Sequence, residues 1–292
     1  MNTLVQGAPV RNRFGPARAV WRTLLVHVQP EASAQPRLVA AADLATKLDA
    51  TLIGLGAEMM QAIGLSDPTG MLGAEFMTTM GDVIQANLAK AKQTFKLHAP
   101  SDGAQWRVVE DFPVNATCRL GREADLIVVG GSPLEAHDTY RWCDPAEVAL
   151  ESGRPVLVVP PNGGALQAKA VVVAWKDGRE SRRALADALP VLKCADEVLI
   201  VGVCDPEDVG GTEVHTSSVV QFLRTHGVEA RRKVIAAHNE NVADTLQAQA
   251  KALGADLIVA GAYGHTRLGE WFFGGVTFDL LHDPQRFLLL SH

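Results

Sequence analysis

Aromatic side chains are scarce in this chain: they make up 5% of its 292 residues, with two tyrosines. Stacking platforms for single-stranded nucleic acid are built from such rings, so that class is disfavoured at once. Basic charge is not in excess either. Lys+Arg number 27 against 33 Asp+Glu, a net charge of −6, the reverse of the basic footprint of a nucleic-acid binder. No apolar run approaches the roughly 18–20 residues that span a bilayer, and the mean hydropathy is only +0.07. The opening stretch MNTLVQGAPVRNRFGPARAV lacks the apolar core of a secretory signal. Cysteine is sparse as well. Cys118, Cys143, Cys194 and Cys204 form no C-x-x-C pair, which argues against a disulfide framework or a zinc site and for small buried hydrophobes. Together these absences predict a reduced, soluble, cytoplasmic protein with no nucleic-acid and no membrane partner. With 47% hydrophobic and 21% charged residues, the chain has the means to bury a core. Its length suggests two domains.

What is present is an internal repeat. Residues 124–130 read ADLIVVG and residues 255–261 read ADLIVAG, six of seven positions matching at an offset of 131. Residues 22–28, RTLLVHV, are echoed by KAVVVAW at 169–175, an offset of 147. RPVLVVPP at 154–161 lies 131 residues before QRFLLLSH at 285–292. The offsets differ by 147 − 131 = 16, so the first half carries about 16 additional residues between these landmarks. The place for them is 57–80, rich in methionine (Met59, Met60, Met71, Met77, Met80), which reads as a lid, an adaptable contact surface or a helix packed on the sheet. The expected organisation is an extension at 1–18, a first domain at 19–161, a linker at 162–168 and a second domain at 169–292.

Short apolar runs alternate with amphipathic stretches. Strands are expected at 197–203, 230–236 and 105–110, and helices at 37–50, 76–97, 180–195, 216–227, 243–254 and 275–283. This βαβα alternation predicts an α/β fold, each domain a doubly wound, five-stranded, mainly parallel sheet flanked by helices.

One motif carries chemistry. The strand ending at Gly261 runs into GAYGHTRLGEWFFGGVT, with Gly264 three residues on, then Gly274, Gly275, Val276 and Thr277. Open α/β sheets bind ligands beyond the carboxyl ends of their strands. Glycines there let backbone approach a phosphate, and a helix starting at 274–277 would aim free amides at it. Thr277 offers a hydroxyl, and His265 and Arg267 offer charge. The other reading is of turn glycines in a tight α/β unit. In the first half the same spacing carries Gly130, but Pro133, Cys143, Asp144 and Ala146 replace Gly264, Gly274, Gly275 and Thr277. Pro133 has no amide to offer, and Asp144 would repel a phosphate, so the first half is expected to bind no nucleotide.

These residues, with the closing strand RFLLLSH, resemble the universal stress protein family and its G-x₂-G-x₉-G-[S/T] pattern. The resemblance is to a tandem member over most of 20–292, strongest over 169–292. It implies two Rossmann-like (adenine nucleotide alpha hydrolase-like) domains and a non-enzymatic, ATP-binding stress-response or regulatory protein, its nucleotide with or without Mg²⁺. It places phosphate contacts on Gly261, Gly264 and Gly274, with Thr277 at a nearby hydroxyl position and the backbone at Ala174 and Val203 framing the adenine; His265, Gly275, Val276 and Lys176 are the further candidate contacts. It departs from the family at Gly275, where Ser or Thr is usual, and at Lys176, which stands near the usual position of an Asp that touches nucleotide. Members of the family pair through their last strand. Strand 155–159 is therefore expected beside 286–290 as an intrachain pseudo-dimer, with a further homodimer open and the protein partner unknown. The alternative is an interaction scaffold of the same fold that binds no nucleotide.

Other constellations are weaker. His265, His282 and His292 lack metal-ligand spacing, and H-E-x-x-H is absent. No G-x-S-x-G surrounds Ser181, Ser217 or Ser218, and G-x-x-x-x-G-K-[S/T] is absent. Asp177 and Glu180 would suit Mg²⁺ on a phosphate or, more simply, charge the start of a helix. Trp175 and Trp271 read as core or as walls of an adenine pocket.

Overall fold

The computed structural model describes residues 21–61, 71–99, 103–131, 138–237, 241–262, 275–282 and 284–292. The first half runs β1 (Thr23–His27), α1 (Gln35–Leu48), β2 (Thr51–Ala57), α2 (Met71–His98), β3 (Gln105–Val109), α3 (Pro113–Leu120), β4 (Leu126–Gly130), α4 (Pro145–Glu151) and β5 (Val156–Val159). The second runs β6 (Ala170–Ala174), α5 (Arg179–Asp187), α6 (Leu189–Leu192), β7 (Glu197–Cys204), α7 (Val209–Thr225), β8 (Arg231–Ala236), α8 (Val242–Leu253), β9 (Leu257–Gly261), α9 (Gly275–His282) and β10 (Phe287–Ser291).

Every residue of β4, β5 and β10 is buried, as expected of strands covered on both faces. The strands form one sheet in the order β3-β2-β1-β4-β5-β10-β9-β6-β7-β8. Within each half all pairings are parallel, and the halves meet where β5 and β10 run antiparallel, Leu289 opposite Leu157. The two expected five-stranded sheets are thus joined, through the strands that the repeat paired, into a ten-stranded one. The outer strands β3 and β8 carry Gln105 and Arg107, and Arg231, Arg232 and Lys233, which discourage edge-to-edge growth. Alternating strand residues feed two apolar layers. One gathers Leu24, Val26, Val128, Val173 and Leu289 under Ala41, Leu44, Leu185 and Leu223. The other gathers Leu25, Ile127, Val172 and Leu290 under Ala116, Val148, Leu246 and Leu280.

The repeated Ala-Asp has a mechanical role. The Asp125 carboxylate accepts the amides of Arg22 and Thr23, at 2.7 and 3.0 Å, and so pins the start of β1. Asp256 does the same ahead of β6, accepting from Gln167 at 2.8 Å and Ala168 at 3.0 Å.

Helices α3 and α4 are absent from the sequence expectation, α2 begins at Met71 rather than 76, and two further helices differ for reasons that can be named. The helix expected over 180–195 splits at Ala188 into α5 and α6, because Pro190 lacks the amide that a continuous ladder needs. Helix α7 begins at Val209 rather than 216. Gly210 and Gly211 are poor helix formers, and they mask its first turn. Helix α2 buries Ile84, Leu88, Ala91 and Phe95, whereas Met77 nearer its start is 54% exposed. The buried residues of α2 thus lie beyond the additional segment, whose described helical side chains at 75–80 are exposed or half-buried, while 62–70 lie outside the described residues. Among the cysteines only Cys143 is buried and Cys194 is exposed, against the expectation of four buried ones. Among the described residues no helix is long and apolar enough to cross a membrane.

Candidate functional site

In the second half the sheet order reverses between β6 and β9, the switch point at which open α/β sheets take ligands. Four of the residues singled out from sequence meet here. Ala174 closes β6, with Lys176 exposed two residues on. Val203 lies near the end of β7 and Gly261 closes β9. Because β9, β6 and β7 are adjacent and parallel, these carboxyl ends lie side by side. Helix α9 supplies Gly275, Val276 and Thr277 as its first turn. The Thr277 hydroxyl, buried, reaches the Gly261 carbonyl at 3.4 Å and so ties that turn to the end of β9. Gly264, His265 and Gly274, with Arg267 and Trp271, lie outside the described residues.

The two described glycines of the motif do different things. A Cβ on Gly261 would lie 2.7 Å from the Glu180 carbonyl carbon and the Ser181 nitrogen, so its bareness serves the close approach of α5 to β9. A Cβ on Gly275 would meet nothing within 4 Å among the described residues. The side chains around this end are already engaged. The Lys176 backbone amide donates to the Ser181 hydroxyl at 3.4 Å. Asp177 pairs with Arg182 at 2.7 Å. Glu180 is buried and pairs with Arg179 at 2.5 Å. Burial pushes the Glu180 carboxyl up, but the hydrogen bonds from Arg179 and from its own amide, with the charges of Arg179 and His292, hold it below the usual carboxylate range. With both carboxylates bonded to arginines, their sequence reading as charges at a helix start describes them better than Mg²⁺ ligation. His292 completes the arrangement, Nδ1 facing the Ala262 carbonyl at 2.9 Å and Nε2 facing Arg179 at 3.2 Å. Trp175 is buried in the core, its indole N–H without a partner.

The corresponding end of the first half is full of side chains. Asp144 caps α4, one carboxylate oxygen accepting the amides of Ala146 at 2.7 Å and Glu147 at 3.1 Å. The amides that a phosphate would need are therefore taken. Arg37, 2% exposed, projects from α1 against the end of β4, where a Cβ on Gly130 would collide with its guanidinium. Gln29 accepts from Arg37 at 2.5 Å and donates to the Arg141 carbonyl at 2.9 Å. The Arg141 guanidinium pairs with Glu31 at 3.0 Å and with the buried Glu58 at 3.1 Å, and Asn87 donates to Glu58 at 3.1 Å. Burial drives the Cys143 thiol up to about 12, and burial with the charges of Glu151 and Glu147 does the same to Cys118, which disfavours the thiolate of each at neutral pH. Sequence reasoning found Cys143 and Asp144 but missed Arg37, Gln29, Glu58 and Arg141. The available signal was Arg37 itself, a lone cation on the stripe shared with Ala41, Leu44 and Leu48.

Residues 167–284 match the model of the Universal stress protein family. No curated protein sequence matches the chain. A universal stress protein from Archaeoglobus fulgidus DSM 4304 superposes with a TM-score of 0.67 at 15% identity, covering 92% of this chain and 97% of its own. A functionally unknown protein, PA1789, from Pseudomonas aeruginosa PAO1 gives 0.55 at 15% identity, with 94% of this chain and 93% of its own covered. A putative universal stress protein from Pseudomonas aeruginosa UCBPP-PA14 gives 0.54 at 16% identity, with 94% of each chain covered. The family model thus covers most of the second half, and the fold of these solved structures is shared along nearly the whole length, the first half repeating the fold of the second.

Proposed function

We propose that the chain is an adenine-nucleotide-binding regulatory protein of the stress response that takes ATP, with Mg²⁺ on the phosphates, in its second half only and without fast turnover. The observation that carries this reading is the contrast between the two strand ends. At α9 the first turn begins on a glycine where a Cβ would meet nothing within 4 Å among the described residues, beside the ends of β9, β6 and β7. At α4 the same place holds a carboxylate cap, with Arg37 beside it. A helix N-terminus whose amides face open space suits a phosphate, and one closed by its own Asp does not. In this reading Gly264, His265 and Gly274 complete the loop over the phosphates and the backbone near Ala174 and Val203 frames the base.

The test is the nucleotide content of freshly purified protein, released by denaturation and resolved by ion exchange, followed by calorimetric titration with ATP–Mg²⁺. About one adenine nucleotide per chain is expected. Two per chain would remove the distinction between the halves. None, with no heat on titration, would favour the interaction scaffold, the reading that Lys176 and the absent hydroxyl at Gly275 support.

A further inference from the structure

The offset of 147 that aligns RTLLVHV with KAVVVAW places Arg37 opposite Ala184 and Gln29 opposite Lys176. Ala184 is an ordinary core residue of α5, 1% exposed. In its place the first half has a guanidinium on a long stem. Side chains on a helix lean toward its N-terminus, so Arg37 reaches back to the carboxyl ends of β1 and β4, the mirror of the candidate site. There it lies against Gly130, the counterpart of Gly261.

The surroundings suit a cation held by shape and by one amide. Gln29 is 7% exposed and its oxygen faces the guanidinium while its nitrogen is committed to the Arg141 carbonyl, which fixes the orientation of the amide. Arg37 has no ion pair with a carboxylate among the described residues, and its Nε has no hydrogen-bond partner. A buried cation so thinly compensated costs stability unless its volume and position are needed. Burial lowers its pKa to about 10, so the group stays charged at neutral pH.

We propose that the Arg37 guanidinium is a built-in occupant of the first half's strand-end site, standing where the second half has the short side chain of Ala184, and that this occupancy keeps the first half closed to outside ligands. The site is then a guanidinium site supplied from within the chain. Emptying it creates a receptor for a small guanidinium from solution, because Gln29 and the wall formed by Gly130 and Trp142 remain in place. This proposal does not depend on ATP binding in the second half.

The experiment is Arg37→Ala in the full chain, followed by thermal unfolding in rising millimolar methylguanidinium chloride. Methylammonium chloride serves as the monocation without a planar fork. The variant is expected to melt below the parent. Methylguanidinium should raise its melting temperature to a plateau, as a ligand of the native state does. The parent should not respond, and methylammonium should leave both chains unchanged. A variant as stable as the parent, or one that responds alike to the two salts or to neither, overturns the proposal. Should Arg37→Ala be recovered unfolded, the yield of refolding from urea is scored instead. A gain with methylguanidinium alone is expected, and no gain overturns the proposal. No nucleotide enters the assay, so its failure is distinct from a failure of the ATP reading.

Discussion

His27 ends β1 with 1% of its surface exposed, and its Nε2 has no hydrogen-bond partner. Burial, aided by the charge of Arg37, lowers its pKa from the ordinary 6.5 to about 3, and a hydrogen bond with the backbone at Ala57 recovers only part of the shift. The unfolded chain protonates this imidazole near pH 6.5, while the folded one does not until about pH 3. Between those values the unfolded state binds more protons, so stability falls as the pH falls. At pH 5 the deficit is about one and a half pH units, or about 2 kcal/mol relative to neutral pH, and it approaches about 5 kcal/mol near pH 3. Glu58 acts in the opposite direction. Burial raises its carboxyl above the ordinary value despite the hydrogen bond from Asn87 and the charge of Arg141, so the folded state takes up that proton first and gains stability on acidification. The two are separated by comparing the parent with His27→Leu. Urea denaturation at pH 7 and pH 5 should show the parent losing about 2 kcal/mol more than the variant over that interval. Parallel pH dependences in the two chains would refute the buried, neutral imidazole and with it the packing assigned to the end of β1.

Three further substitutions test the site and its frame. Gly275→Asp copies Asp144 into the second half; with open space above the glycine the fold should gain a few tenths of a kcal/mol from the cap. ATP binding should weaken by about tenfold or more through like-charge repulsion, read by calorimetry beside thermal unfolding. Gly261→Ala drives a methyl group into the Glu180–Ser181 backbone and should cost about 1–3 kcal/mol in urea denaturation; an unchanged midpoint would mean that α5 does not pack as described. Asp256→Ala strips the acceptor from the amides of Gln167 and Ala168 and should cost about 1.5–3 kcal/mol, with faster hydrogen exchange at those two amides as the local check.

Much of this architecture was legible because the chain states it twice. ADLIVVG and ADLIVAG mark β4 and β9, and the pairing of the matched closing strands, β5 with β10, is the one that the family resemblance implied. Even the conserved-looking letter inside the repeat has a cause, since Asp125 and Asp256 each pin the strand beside their own. Helix boundaries were less legible where a local preference opposed the tertiary context, as with Gly210 and Gly211 opening α7. The filled end of the first half was least legible. Arg37, Gln29, Glu58 and Arg141 come from four separate stretches of chain, and only folding brings them together. A motif reads spacing along the chain, whereas this network is defined by its closure in space.

The two strand ends also explain why glycine survives in one half and not in the other. Glycine weakens an element through backbone entropy and persists where a bare backbone is required. With Arg37 and the Asp144 cap filling the first half, nothing at positions 143 or 144 needs a missing Cβ, and Cys143 and Asp144 stand there. In the second half Gly261 is accounted for by the backbone of α5. Gly275 has no such packing reason, since a side chain there would meet nothing within 4 Å among the described residues. An Asp or Ser at that point would hold the start of α9 better by a few tenths of a kcal/mol. Room at Gly275 among the described residues is what the anion reading expects and what packing alone does not require.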